Sequence, residues 1–339
     1  MRGVVVFDIG GTYTRSGLFT ETGRILNVEK DSSPNFNSNE SIYDLQEQLL
    51  EYVKRKVLEI DKATSISIEE VGIAFPGPIT KDGCVLKAPT LWGEAGVKFP
   101  MKDKLESLLD GISVTVINDL TAAGYRYMKS SLKSFGLITI SSGVGNKVFW
   151  NEETLLNDNG AGGELGHYVY KDSEFPNLIC DCGSYSHIGA IASGRGMEQL
   201  ANQMRVKYSH LLSDSPLRNL NKITTFELVE GIRHKDPFSE AVLRKGITPI
   251  ANAILFMHNL MGLEDFIIIG GFALAIREEY KKELCHQLSQ SIYFGLENKN
   301  IKDMIHMGVE DDLNGLIGMG IYVFKHMKKD NRHMEVQTG

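Results

Sequence analysis

Three glycine-rich runs hold most of the residues in this chain that could do chemistry. Asp8 ends an apolar run and is followed by Ile9-Gly10-Gly11-Thr12-Tyr13-Thr14-Arg15. Two glycines and two threonines make a tight turn with free backbone N–H and hydroxyl donors, which suits phosphate oxygens. Asp8 could hold a magnesium ion directly or through water. An ordinary hairpin turn fits the same residues. The second run, Thr139-Ile140-Ser141-Ser142-Gly143-Val144-Gly145-Asn146, repeats the theme of strand, hydroxyls and spaced glycines. The third, Ile267-Ile268-Ile269-Gly270-Gly271-Phe272, opens a helix, where anions and close ligand approach are favoured. Neither G-x-x-x-x-G-K-[ST] nor a strand followed by G-x-G-x-x-G is present. Asn118-Asp119 stands where a strand gives way to an Ala-rich helix. Taken alone, that pair reads as a helix cap.

Short apolar runs must position these residues. Val4–Phe7, Val71–Phe75, Val114–Ile117, Leu137–Ile140 and Phe266–Ile269 read as strands buried on both faces, hence sheets covered by helices. Helical patterns lie at Ile42–Ile60, Ile247–Met261 and Ala275–Leu288. The alternation predicts an α/β protein. Lys30–Glu40 and Ser213–Lys222 read as loops, and the charged tail from Lys328 is expected to fray. Length, 339 residues, suggests about two domains. The 34 glycines are about a tenth of the chain, above the usual ~7 per cent, so their clustering is informative. A net charge of −7 opposes a nucleic-acid partner. Four cysteines are too few for a disulfide scaffold and suggest a reducing cytoplasm. No apolar window reaches a membrane span of about 18 residues, and no targeting segment is recognised at the N-terminus.

In order along the chain stand D-I-G-G-T, A-F-P-G-P, N-D, S-S-G-V-G, G-G-E-L-G-H, C-D-C-G and I-I-I-G-G. This order resembles the ROK family of sugar kinases, of the actin, hexokinase and heat-shock-70 superfamily, from about residue 4 to 325. Glu164-Leu165-Gly166-His167 followed by Cys180-x-Cys182-Gly183 is the most specific part. The resemblance implies a two-lobed actin-like ATPase (ribonuclease H-like) fold with a ligand cleft between lobes. It implies a small lobe of residues 1–118 plus about 313–330 and a large lobe of 119–312. ATP and Mg²⁺ would be held by Asp8, Gly10, Gly11, Thr12, Thr14, Ser141, Ser142, Gly143, Gly145, Gly270 and Gly271. Asp119 matches the catalytic aspartate, which would orient a sugar hydroxyl and accept its proton. Gly77, Asn118, Asp119, Glu164 and His167 match residues that bind the sugar.

The family's cysteine pattern continues Cys-x-Cys-Gly-x-x-Gly-Cys-x-Glu. Here Ser186 stands for the second glycine, His187 for the third cysteine and Gly189 for the glutamate. His167, Cys180, Cys182 and His187 would then make a tetrahedral set for a structural Zn²⁺; a decayed, empty site is the alternative. Cys84 and Cys285 read as packing residues. Gly189 removes a carboxylate that, in the family, contacts hydroxyls near the anomeric carbon. Thr90 and Thr121 replace two expected asparagines, and Asn146 replaces a glycine. These departures suggest a modified acceptor: an amino or deoxy sugar, or a cyclitol. An ordinary glucose or mannose kinase, and an inactive sugar-sensing homologue, stand as alternatives. A DNA-binding repressor of the family would need a winged helix before Asp8. The resemblance further implies a cytoplasmic homodimer or homotetramer without membrane or nucleic-acid partners.

Overall fold

The computed structural model describes residues 1–35, 40–93, 98–157, 159–290 and 300–337. Its chain forms two compact units. One comprises Met1–Ser131, Thr154–Gly162 and Asp311–Gly339; the other comprises Leu132–Glu153 and Gly163–Glu310. In this division Asp119 falls in the first unit. The reason is packing: the helix that Asp119 opens lies against the last helix of the chain, which returns to this unit.

The first unit is built on strands β1 (Arg2–Ile9), β2 (Tyr13–Thr20), β3 (Ile25–Ser32), β4 (Ser67–Phe75) and β5 (Val114–Asn118), in the order β3-β2-β1-β4-β5. β1, β4 and β5 run parallel, and β2 and β3 are antiparallel additions. Side chains alternate across a strand. Val5, Phe7 and Ile9 accordingly enter a core with α1 (Ile42–Ala63), α2 (Pro89–Trp92) and α3 (Met101–Leu108). Val4 and Val6 enter another core, with α4 (Asp119–Tyr125) and α12 (Asn314–Gln337). Helices on both faces explain why β1 reads as an unbroken apolar run.

The second unit repeats the plan. Strands β6 (Phe135–Ile140), β7 (Val144–Trp150), β8 (Glu153–Thr154), β9 (Phe266–Ile269) and β10 (Ile305–Met307) lie in the order β10-β9-β6-β7-β8. β6, β9 and β10 are parallel, and β7 is antiparallel to β6. One large core joins this sheet to α5 (Ile188–Ala192), α6 (Gly194–Lys207), α7 (Thr225–Arg233), α8 (Pro237–Met261), α9 (Gly271–Ala275), α10 (Arg277–Ser289) and α11 (Ile301–Met304). α8 begins ten residues before the sequence expectation. Asp236 caps it by accepting from the Ser239 N–H at 2.9 Å, Pro237 fits its first turn, and Pro249 does not end it.

Two expectations change. Lys30–Ser32 belong to β3, not to a loop, although residues 36–39 of that predicted loop lie outside the described residues. The tail from Lys328 continues α12 to Gln337, a stretch with neither Gly nor Pro to stop it. Among the described residues, no helix is long and apolar enough to cross a membrane.

α12 reaches its neighbours through glycine. A Cβ at Gly318 would collide with the Ala122 carbonyl of α4, and one at Gly72 of β4 with Met319. Gly318→Ala is therefore expected to destabilise the protein by about 1–3 kcal/mol through overpacking. Urea unfolding would measure this, and an unchanged midpoint would contradict the close contact.

Candidate active site and metal centre

In the first unit the candidate residues collect at the C-terminal ends of the parallel strands. β1 ends at Asp8-Ile9 and turns through Gly10-Gly11 into β2, with the Gly10 N–H donating to the Tyr13 carbonyl at 2.9 Å. The turn is thus a hairpin, a form that a phosphate-binding turn can share. Gly11 lies so close to Thr90 that an added Cβ would stand 2.9 Å from its Cβ and its carbonyl oxygen. Thr12 is exposed at the turn. Thr14 departs from expectation: it is buried in β2 and its hydroxyl shares a 2.8 Å hydrogen bond with Ser33 Oγ. Thr12 lies in the turn before β2, whereas Thr14 is held inside the strand.

β5 ends at Asn118, which is the N-cap of α4. Its Oδ1 accepts from the Leu120 and Thr121 N–H groups, both at 3.1 Å. Its Nδ2 donates to the Gly77 carbonyl at 3.0 Å and to Asp119 Oδ1 at 2.9 Å. Capping and chemistry are therefore not alternatives. Asn118 ties three things together: the turn after β4, the start of α4 and the Asp119 carboxylate. Gly77 has φ +108°, a region that favours glycine, and a Cβ there would strike the Lys87 carbonyl. Thr121 is buried, and its Oγ1 has no hydrogen-bond partner among the described residues.

In the second unit Ser141, Ser142 and Gly143 form the turn between β6 and β7, with Gly145 following in β7. Gly270 ends β9 beside this turn; with φ +100°, it packs so that a Cβ would meet the Ile140 backbone. Gly271 then opens α9. The N-terminus of α6 joins them, since the Gly194 N–H donates to the Ser141 carbonyl at 2.7 Å. Small residues and the starts of α6 and α9 thus meet at this edge, a setting that suits an anion.

Glu164 and His167 sit on a loop pressed between β7 and α5. A Cβ at Gly163 would strike the Asn146 carbonyl, and one at Gly166 the Val144 carbonyl. Asn146 itself is buried, and its Oδ1 accepts from the Leu165 N–H at 3.0 Å. Its replacement of a glycine therefore fastens this loop to β7. On the other side, a Cβ at Gly189 would stand 3.1 Å from the Gly166 carbonyl oxygen and 3.5 Å from Cys180 Sγ.

The Glu164 loop leads to the sulfur and imidazole groups. His167, Cys180, Cys182 and His187 each offer one ligand atom, all within 4.8 Å of one another. Cys182 Sγ lies 3.3 Å from His187 Nδ1, and Cys180 Sγ 3.9 Å from His167 Nδ1. A tight turn holds the two thiols, with the Gly183 N–H on the Cys180 carbonyl and Gly183 at φ +84°. Ser186, where the family pattern has glycine, takes a left-handed backbone at φ +57°, and its hydroxyl donates to the Pro176 carbonyl at 2.9 Å. Desolvation works against the Cys182 thiolate, yet hydrogen bonds from Ser184, Cys180 and His167 bring its pKa down to about 6. Burial pushes the Cys180 thiol up. Two sulfurs and two imidazoles suit a tetrahedral N/S metal such as zinc. Glu164 Oε2 is 4.0 Å from His167 Nε2, a near approach beyond hydrogen-bond distance.

Sequence reasoning missed the neighbours of Asp8. Its carboxyl group is withdrawn against Gly315, in the first turn of α12. Asp8 faces Arg15, its antiparallel partner on β2, and interacts with Asp119 and Asp312. Burial first, then Asp119 and Asp312, raise its pKa to about 7, while Arg15 works in the opposite sense. Arg15 only partly offsets the burial and the neighbouring carboxylates, and such a group suits a divalent cation. The closely spaced Gly315, Gly318 and Gly320 were the available signal.

The folded protein therefore holds a proton on Asp8 that the unfolded chain has released between about pH 4 and pH 7. Stability contributed by this group falls as pH rises through that window. Without added nucleotide or magnesium, Asp8→Asn is expected to raise Tm more at pH 8 than at pH 5. Equal shifts at the two pH values would contradict this.

Comparison with known proteins agrees with this geometry. The ROK family model matches residues 4–326. The C(7)-cyclitol 7-kinase of Streptomyces hygroscopicus subsp. limoneus is 32% identical over 326 residues, covering 94% of this chain and 92% of that protein. The N-acetylmannosamine kinase of Pasteurella multocida is 24% identical over 280 residues, covering 81% and 83%. Among solved structures, a ROK family glucokinase from Streptomyces griseus, in complex with glucose and AMPPNP, aligns with a TM-score of 0.69 at 22% identity. It covers 94% of this chain and 98% of that one. The fold is thus the actin-like ATPase fold of ROK kinases, and the chain belongs to the ROK family.

Proposed function

We propose that this protein transfers the γ-phosphoryl group of ATP to a hydroxyl, a primary one, of a sugar-like cyclitol. The observation that carries the kinase reading is the Asn118–Asp119 junction. It fixes one carboxylate at the edge of the β1-β4-β5 sheet, beside the Asp8 turn. A sugar hydroxyl is a poor nucleophile, and Asp119 would orient it and accept its proton as the phosphorus–oxygen bond forms. Asn118 has committed its side chain to Gly77, Asp119 and the α4 amides, so it acts through Asp119. Asp8 and the Gly10-Gly11-Thr12 turn supply the first unit's phosphate and metal groups. Ser141, Ser142, Gly143, Gly145, Gly270 and Gly271 supply the second unit's nucleotide contacts. Magnesium, when bound with the nucleotide, supplies charge neutralisation on the phosphate oxygens.

The acceptor class rests on Gly189 and its close approach to Gly166. Where the family resemblance places a carboxylate for hydroxyls near the anomeric carbon, this chain has no side chain. A site that hydrogen-bonds a hydroxyl discriminates strongly through it, and the lost group relaxes that requirement. A cyclitol has a carbocyclic ring and no anomeric centre. That the 32% identical relative is a C(7)-cyclitol 7-kinase supports the same class. Zinc, when held by His167, Cys180, Cys182 and His187, would pin the loop carrying Glu164 and leave the phosphoryl chemistry to Asp119.

An ATP-consumption panel over cyclitols, glucose, mannose and N-acetylmannosamine tests the reading. A cyclitol is expected to turn over fastest; glucose turning over as fast would overturn the acceptor class. Asp119→Asn should lower turnover by about 10²–10⁴-fold. Undiminished turnover would remove Asp119 from the mechanism.

Metal analysis of the purified protein is expected to find one zinc per chain. Cys182→Ser should lose it, whereas His187→Cys should retain it. A zinc-free wild-type protein that neither binds added zinc nor gains stability from it would exclude the metal centre.

A further inference from the structure

The chain re-enters the first unit at Asp311, and two successive acids stand at that point. Each grips a different element. Asp311 takes both arms of Arg126, with NH1–Oδ1 at 2.5 Å and NH2–Oδ2 at 2.6 Å. Asp312 accepts from Arg15 NH2 at 2.7 Å, with Lys30 Nζ 3.9 Å away. Asn314 adds a third grip: its Oδ1 accepts from Arg126 NH1 at 3.1 Å and from the Tyr127 hydroxyl at 2.7 Å. The backbone between these grips is sharply bent, with Asp312 at φ +57° and the Leu313 N–H returned to Asp311 Oδ1 at 3.1 Å.

The grips have defined far ends. Arg126 follows directly on α4, the helix that Asp119 opens. Arg15 stands on β2 opposite Asp8. Directly after the acids, Gly315 backs the Asp8 carboxyl and Gly318 backs the Ala122 carbonyl of α4. The segment 311–318 therefore touches both elements that carry the two carboxylates, by ion pairs at its start and by glycine contacts in the helix.

From this geometry we infer that Arg126, and secondarily Arg15, are positioning residues that set Asp119 relative to Asp8 through Asp311, Asp312 and Asn314. The inference rests on the kinase reading of Asp119 and Asp8. An exposed ion pair contributes only about 0–1 kcal/mol. The Arg126 pair is of another kind: it is bidentate, it is shared with Asn314, and its guanidinium side chain is 13% exposed. Such a fork fixes orientation as well as distance. A small misplacement of a reacting group can cost about 10²-fold in rate.

The test compares wild type, Arg126→Met, Asp311→Asn and Arg126→Lys at 25 °C, with saturating ATP and the best acceptor of the panel. Arg2→Met, which breaks the exposed Arg2–Glu21 pair, is the control. Arg126→Met and Asp311→Asn should lower kcat about 10–100-fold with both KM values within about twofold. Arg126→Lys should recover part of the loss, and Arg2→Met should match wild type. Hydrogen exchange at Leu120–Ala123 should quicken in Arg126→Met but not in Arg2→Met, a readout that needs no turnover. If Arg126→Met does not fold, Asn314→Ala takes its place with the same expectations. A kcat within twofold of wild type, with unchanged exchange in α4, would overturn the inference even if Tm falls. Asp119→Asn, run alongside, reports separately on the kinase reading.

Discussion

The contact of α12 with β1 and α4 is the constraint on which the first unit depends. Gly315, Gly318 and Gly320 leave room for Asp8, the Ala122 carbonyl and Phe19 respectively. Because no side chain intervenes, the last helix of the chain lies directly against the strand and helix that hold the two carboxylates. The consequence is electrostatic as well as steric. Asp8 is withdrawn from water and its pKa raised to about 7. A half-buried carboxylate of this kind is costly when ionised, and a bound cation would offset that cost.

The second unit uses the same device for a different purpose. Gly163 and Gly166 let the Glu164 loop lie on β7, and Gly189 lets α5 close on its other side. Asn146 adds one hydrogen bond across the first of these contacts. The loop is thus tied to the strand that leaves the Ser141–Gly143 turn. The adjoining sulfur and imidazole cluster continues the restraint through His167. Gly189 accordingly has two meanings. It is a lost carboxylate when compared with the family pattern, and a packing contact within this molecule.

Much of this was legible from residue order. The strands with continuous apolar runs were, because burial on both faces leaves a strong local signal. The glycine turns, Asn118-Asp119 and the Cys180–His187 spacing were also visible. β3 was not, since most of its side chains are exposed and polar. The fate of Thr14 depended on strand register, which composition does not show. Arg15, Arg126 and Asp311 escaped notice because their partners are distant: Arg126 and Asp311 are separated by 185 residues. The reading of Asn118 as either a cap or a functional residue dissolved once both sets of hydrogen bonds could be seen on one side chain.

The site is proposed to phosphorylate a ring without an anomeric centre, with Asp119 as base. A competition experiment tests it most directly. Glucose and its carbocyclic analogue, in which a methylene replaces the ring oxygen, are mixed in equal amounts with limiting ATP. The two products are then counted by phosphorus NMR. Their ratio is the ratio of kcat/KM values. The carbocyclic phosphate is expected to predominate by at least about tenfold, a difference of ~1.4 kcal/mol in transition-state binding. Equal products, or an excess of glucose phosphate, would contradict it.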